Sequence, residues 1–387
     1  MVVEVAAEPL ERSEPRLTTL VAIVAAFAAL GYVLRFLAYQ QAVWNADIWN
    51  FPHGFCRWDC VWYVRLAQTG YDPFPVPHGI DAGNWAFFPL FPMIVGALYK
   101  LTGWPPIDIA VAVSILLSGL AALVAWPLLK HNLRAFTLYA AFLLCGPFSM
   151  YFTSFFTEVL FVLLTNCVML AARRSNYLTA GTGAALLSAT RIVGVFGVFI
   201  VAVQFLVDYA RRGGSVAGLP RELWRRPDIV LAVLIAPLGA FAYMLFLHFY
   251  MGDALAFQHV QRAWGRVVGN PFDYLWLALT EPPRNGGWLS SGQWLALSAI
   301  GGLVATAVLA WKRHYAEAVF CLLCIVVPMA AGMASMLRFV AALSPIVLLA
   351  AGYLARWWPL FLATLLVLVA TDYFFALGWI EGWLALV

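Results

Sequence analysis

Between two apolar stretches, the chain carries RWDCVWYVRLAQTGYD from Arg57, a loop of Pro, Gly and Asn, and then NWAFFPLFP ending at Pro92. Asp59 is the residue there with chemistry to offer. A carboxylate can take the proton from an attacking hydroxyl. On an aromatic, amphipathic helix lying at a bilayer surface, it suits a substrate that is half lipid and half water-soluble. The competing account is structural: an acid near a helix start interacts favourably with the helix dipole.

Two arginines stand out for their surroundings. Arg191 and Arg338 lie within or at the end of apolar spans, where a charge costs roughly 2.5–3.5 kcal/mol. A residue carrying that cost is paired or functional. The guanidinium fork binds phosphate bidentately and stays charged near lipid; a structural pair with Glu158 or Glu317 is the competing account. Arg57 and Arg65 offer the same fork, though interfacial arginines ordinarily meet lipid headgroups. Glu158, after Phe155-Phe156-Thr157 in an apolar segment, reads equally as a hydrogen-bonded structural acid or a substrate contact. The six histidines are scattered and form no local metal motif, so no catalytic metal is expected.

The elements that position these residues follow from composition. The chain has 387 residues, 64% hydrophobic and 11% charged, with mean hydropathy +0.85. Soluble domains carry roughly 25% charged residues, so most of this chain must face lipid or other helices. The net charge of +4 forms no basic stripe suited to nucleic acid. The 17 Trp and 15 Tyr fit many interfacial anchor positions. No cleavable signal peptide is evident. Residues 1–16 read as a disordered cytoplasmic N-terminus, and 17–387 as one transmembrane domain.

With about 20 apolar residues per crossing, helices are expected near 17–38, 87–104, 106–129, 134–150, 151–172, 177–207, 228–250, 293–311, 316–334, 337–355 and 357–377, eleven spans give or take two. The arginines of the 208–227 loop mark the cytoplasmic side, and Lys312, Arg313 and Arg356 agree. Loops 39–86 and 251–292 then lie outside. Lys130/Arg134 and Arg173/Arg174 disagree with that count. Either 134–172 is a re-entrant hairpin or the 177–207 stretch breaks near Arg191. An interfacial helix is expected over 58–69, with Gly70 as its C-cap and Pro73, Pro75 and Pro77 stopping it. A second is expected within FQHVQRAWGRVVGNPFDY. Cys145, Cys167, Cys321 and Cys324 read as small core residues. A Cys56–Cys60 disulfide is feasible only if Cys56 lies outside the helix.

Arg57-Trp58-Asp59 with Ala67, Gly70 and Tyr71, then Phe87-Phe88-Pro89-Leu90-Phe91-Pro92, resembles the PIG-V family of mannosyltransferases. Gly146-Pro147-Phe148 with Tyr151 and Phe156-Thr157-Glu158 resembles the family's NP…YTE segment, with Gly146 where Asn is common. Ala189-Thr190-Arg191 resembles its (S/A)xR helix, and Leu337-Arg338-Phe339 with Pro345 its late RY…P motif. The matches run in order over roughly 57–345. The resemblance implies a GT-C-type glycosyltransferase: an all-α, polytopic helical bundle using a polyprenyl- or dolichyl-phosphate sugar on the outer or luminal face. It gives Asp59 the role of general base.

On that reading, mannose passes from the lipid phosphate to an acceptor hydroxyl in one inverting displacement. Arg338, Arg191 and Arg57 are the candidates for the donor phosphate. Trp58, Trp62, Glu158, Gln261, Arg262 and Trp264 are the candidates for sugar and acceptor; His259 is a weaker alternative base. No cofactor beyond the donor is expected. The acceptor is a glycolipid, glycan or protein hydroxyl, and a bacterial plasma membrane the expected setting. The alternatives are a transferase of another polyprenyl-phosphate sugar, a lipid or polyisoprenoid transporter, and a noncatalytic scaffold. A transporter should show paired inverted halves with polar groups at mid-membrane, whereas polarity here gathers in two same-side loops.

Overall fold

A computed structural model describes residues 15–75, 82–283, 289–383 and 386. All but the last two residues of the expected 1–16 tail lie outside the described residues, as do Pro77 and His78. Six helices are long and apolar enough to cross a bilayer: Leu17–Ala42, Pro106–Leu128, Ile192–Arg211, Pro227–Met251, Ser291–Trp311 and Trp358–Glu381. Shorter apolar helices run over Leu90–Thr102, Leu133–Cys145, Tyr315–Met329 and Ser344–Leu354. Polar caps set several starts. Asn132 accepts from the Ala135 amide, and Ser290 and Gln293 form a reciprocal capping box. The chain is an integral, multi-pass membrane protein.

The expected span at 87–104 is not a crossing. Its helix, Leu90–Thr102, has 13 residues, the same as Leu133–Cys145, so its placement decides and not its length. Both of its ends lie at the same end of the bundle. The Leu90 amide donates to Ala189 O, next to Arg191. Just beyond the other end, Asp108 in the first turn of Pro106–Leu128 faces His53 of the first long loop. The helix therefore lies along the surface, against the Asp59–Thr69 helix. Gly96 permits the approach, since a Cβ there would stand 2.7 Å from Ala67 O.

The expected 177–207 helix breaks where one of the two alternatives put it. Tyr177–Ser188 ends, Arg191 is extended, and a 3-10 turn from Ile192 leads into Gly197–Arg211. One span is lost and one gained. The count of segments stays at eleven among the described residues, six of them long and apolar enough to cross a bilayer and the others shorter: Leu17–Ala42, Pro106–Leu128, Leu133–Cys145, Glu158–Arg173, Tyr177–Ser188, Ile192–Arg211, Pro227–Met251, Ser291–Trp311, Tyr315–Met329, Ser344–Leu354 and Trp358–Glu381. The two changes also remove the charge conflict. Arg173 pairs with Glu317, and Arg173, Lys130 and Arg211 all lie close enough to act electrostatically on His314. The basic loops thus gather at one end, which the positive-inside rule assigns to the cytoplasm.

Other boundaries move for local reasons. The 134–150 helix stops at Cys145, and a short turn at Ser149–Thr153 precedes Glu158–Arg173, so Glu158 opens a helix. The 337–355 stretch splits into Met336–Ala341 and Ser344–Leu354, with Pro345 in the first turn of the second piece. The expected second interfacial helix is broken into a short helix at Ala256–His259 and a 3-10 turn at Val260–Trp264, which Gly265 ends at φ +69. The Pro271–Thr280 helix follows. A buried cluster fastens the first and last spans. Arg35 donates to Leu144 O at 3.0 Å and to Ser149 Oγ at 2.7 Å, and lies 3.4 Å from Asp372, to which Ser149 also donates.

Candidate active site at the outer end

The Asp59–Thr69 helix starts after a strained residue, Trp58, at φ +56. It ends at Gly70, whose φ of +81 permits the turn. Cys56 lies before the helix and is bonded to Cys60, which meets the condition set by the sequence. Tyr63, Leu66 and Ala67 face the protein. Tyr63 packs edge-on to Phe87 at 5.0 Å and stacks with Phe155 at 5.7 Å. Behind the helix, the side chains of Asp72 and Asn84 each accept from the other's backbone amide, and Arg65 pairs with Asp72 at 2.7 Å. Arg65 is thereby a clamp of the loop.

Asp59 occupies the first helical turn, as the dipole account requires, but its side chain reaches across the fold. Asp59 Oδ2 accepts from Arg338 Nη1 at 2.6 Å. Arg338 Nε lies 3.3 Å from Glu158 Oε1, an ion-pair contact without hydrogen-bond geometry. The same Oε1 accepts from Arg191 Nη1 at 2.6 Å. Four residues singled out in the sequence therefore form one chain of alternating charge, Asp59–Arg338–Glu158–Arg191. Side-chain exposure falls from 32% at Asp59 to 9% at Arg338 and 2% at Glu158. Both guanidiniums lie against Phe339, with Arg191 4.7 Å and Arg338 5.5 Å from its ring centre. Burial opposes the Arg338 charge, but Asp59 and Glu158 outweigh it and hold its pKa above the ordinary value. Burial, with Glu158 and Asp59 nearby, pushes the Tyr63 phenol up.

Arg266 and Ser335 join this chain without having been given a site role from the sequence. Gly265 reverses the loop, and Arg266 Nη2 then donates to Ser335 Oγ at 3.2 Å. Arg338 Nη2 donates to the same oxygen at 3.2 Å. Two guanidiniums thus converge on one neutral hydroxyl. Burial first, and Arg338 second, hold the Arg266 pKa below its usual value. Counting this residue, three guanidiniums face two carboxylates among the described residues. Glu158 Oε2 is buried and has no hydrogen-bond partner. A buried carboxylate oxygen left so is a place for a water or ligand hydroxyl.

The remaining candidates divide. Trp62 stacks on Phe87 at 6.0 Å and meets Trp264 edge-on at 5.7 Å, so these rings join the two outer loops. Trp58 is partly exposed beside Asp59. Gln261 reaches back to Phe257 O at 3.5 Å, and Arg262 is exposed. The Arg57 Nη1 lies near Gly382 beyond the last helix, and its Nε is buried without a hydrogen-bond partner among the described residues. His259 is held by Asp253, 2.7 Å from its Nδ1. The Glu317 alternative fails for Arg191 and Arg338, because Glu317 takes Arg173 at the opposite end.

No protein-family model matches the chain, and no curated protein matches it. Among solved structures, the chain is similar to ArnT from Cupriavidus metallidurans bound to undecaprenyl phosphate, at 15% identity and a TM-score of 0.52. The match covers 89% of this chain and 62% of that one, so the chain spans less than two thirds of the neighbour's length. The likeness shows that the chain shares the polytopic helical fold of that structure. The narrower PIG-V resemblance rests on the sequence motifs alone.

Proposed function

We propose that this protein is a GT-C glycosyltransferase that moves mannose from a polyprenyl-phosphate donor to an acceptor hydroxyl at the extracytoplasmic face. The observation that carries the reading is the Asp59–Arg338–Glu158–Arg191 chain, joined at Arg338 by Arg266 through Ser335, at the outer end of a GT-C fold. The similarity to a structure holding undecaprenyl phosphate supports the donor class, and the ordered PIG-V-like motifs support mannose. A bacterial plasma membrane is the setting these point to.

Asp59, the most exposed member of the chain, takes the acceptor proton as the hydroxyl attacks the anomeric carbon, an inverting displacement. General base catalysis contributes roughly 10²–10⁴-fold. The departing lipid phosphate gains negative charge as the glycosidic bond breaks. Arg266 and Arg338, already converging on Ser335 with one cation in excess, receive that charge. Arg191 acts by holding Glu158. Glu158 Oε2, unpartnered, accepts from a sugar hydroxyl. Trp62 and Trp264 form the aromatic wall beside the sugar.

The test is transfer of labelled mannose from polyprenyl-phosphate mannose by the purified protein, with a crude membrane extract as acceptor source and Asp59→Asn alongside. Asp59-dependent transfer supports the reading. Transfer of a different polyprenyl-linked sugar alone overturns the mannose assignment. Donor crossing reconstituted bilayers, with no transfer, overturns the enzyme assignment in favour of transport.

A further inference from the structure

The Cys56–Cys60 bond encloses Arg57, Trp58 and Asp59, the segment that delivers the candidate base. Cys60 lies in the first turn of the Asp59 helix and is fully buried, while Cys56 is half-buried in the preceding loop, 5.2 Å away between Cα atoms. The residue between the anchors has an uncommon backbone. Trp58 sits at φ +56, a conformation that a bulky L residue keeps only when its surroundings impose it. The neighbour of Cys56 is itself moored to the bundle. Phe55 is buried, and its carbonyl accepts from Trp379 Nε1 of the last span at 3.1 Å. A covalent path therefore runs from this mooring, through the two cysteines, to the start of the helix bearing Asp59. Beyond that path, the Asp59 side chain has one ion pair among the described residues, to Arg338.

We infer that the Cys56–Cys60 disulfide is a positioning element for the Asp59 carboxylate, so that the outer site is complete only when these cysteines are oxidised. The inference rests on Asp59 being the base, as proposed above. Its setting is consistent: both cysteines lie in an outer loop, on the side of a membrane where disulfides persist. The phosphate contacts Arg266, Ser335 and Arg338 are carried by other segments. Opening the bond thus loosens the carboxylate and leaves the donor cradle standing.

The experiment compares purified full-length protein before and after dithiothreitol, alongside Cys56→Ala/Cys60→Ala. Dithiothreitol opens the bond by exchange, ending as its own cyclic disulfide and leaving two protein thiols, which alkylation and mass measurement count. The expected result is a kcat lower by about 10²-fold, the scale of a misplaced catalytic group, with donor KM unchanged. Reoxidation restores the rate, and dithiothreitol does nothing further to the double variant. Hydrogen exchange of the 57–66 amides rises on reduction. Full kcat in protein alkylated at both cysteines overturns the inference. So does a loss of kcat that only tracks the loss of folded protein by gel filtration. If oxidised wild type transfers no sugar, the enzyme assignment has failed, and amide exchange alone decides whether the bond holds the helix start; unchanged exchange overturns it.

Discussion

Arginine is used differently at the two ends of this bundle. At the inner end the pairs are one to one and partly wet. Arg173 meets Glu317 at 2.5 Å, Arg226 meets Asp228 at 2.8 Å and Arg212 meets Glu222 at 3.7 Å, with arginine side chains 33%, 29% and 53% exposed. At the outer end Arg338 and Arg191 are 9% and 15% exposed and share Glu158. Arg338 and Arg266 also share Ser335. The inner pairs neutralise each other and leave nothing over. Among the described residues, the outer group has one cation in excess and one unused carboxylate oxygen, which is spare capacity for a charged, hydroxyl-bearing ligand. The same residue type therefore reads as orientation and stability at one end, and as a site at the other.

Mutations at the two ends should separate these roles. The largest effect is expected from Asp59→Asn, which should lower kcat by about 10²–10⁴-fold while the protein remains folded and binds donor. Arg338→Ala should abolish transfer and also cost about 1–3 kcal/mol of stability, because Asp59 loses its charge-assisted hydrogen bond while Glu158 keeps Arg191; thermal unfolding in detergent reads the second part. Arg266→Ala should raise donor KM by about 10–100-fold, the scale of one charge-assisted hydrogen bond, with little change in unfolding temperature. Equal stability losses for Arg338→Ala and Arg266→Ala would erase the distinction between a paired and a spare arginine. Arg173→Ala, at the inner end, should cost about 1–3 kcal/mol by stranding Glu317 and leave kcat of the folded enzyme unchanged. A drop in kcat there would break the comparison.

The smallest effect concerns the outer His259–Asp253 pair. The hydrogen bond from His259 holds the Asp253 carboxyl below its usual range. Its folded pKa is the lower one, so its contribution is fully present above about pH 4 and is lost as pH falls through the folded value. Asp253→Asn should therefore reduce stability slightly at neutral pH and not at all in strong acid, as unfolding midpoints across pH would read.

Much of the site was legible because buried charge is costly and rare in apolar sequence. That signal found Glu158, Arg191 and Arg338, and the aromatic helix found Asp59. Their mutual contacts span 279 residues for Asp59 and Arg338, a distance no local pattern encodes. Arg266 was read as one of several residues on an interfacial helix. Gly265 breaks that helix and turns Arg266 inward, and the Gly was the available signal. Arg57 sits in the most recognisable motif, yet the turn at Trp58 directs it toward the last helix. Hydropathy was sound for the long spans but misread Leu90–Thr102. An apolar helix lying on the membrane has the composition of one that crosses it, and its 13 residues match Leu133–Cys145, so length does not separate them. The misplaced basic loops were the clue: Lys130 and Arg173 return to the basic end once that helix is laid flat.

The most direct test of the account is single-turnover sugar transfer from polyprenyl-phosphate mannose, with donor binding measured on the same samples of wild type and Asp59→Asn. The account predicts equal donor binding and transfer slowed by about 10²–10⁴-fold in the variant. Transfer at the wild-type rate by Asp59→Asn would contradict it.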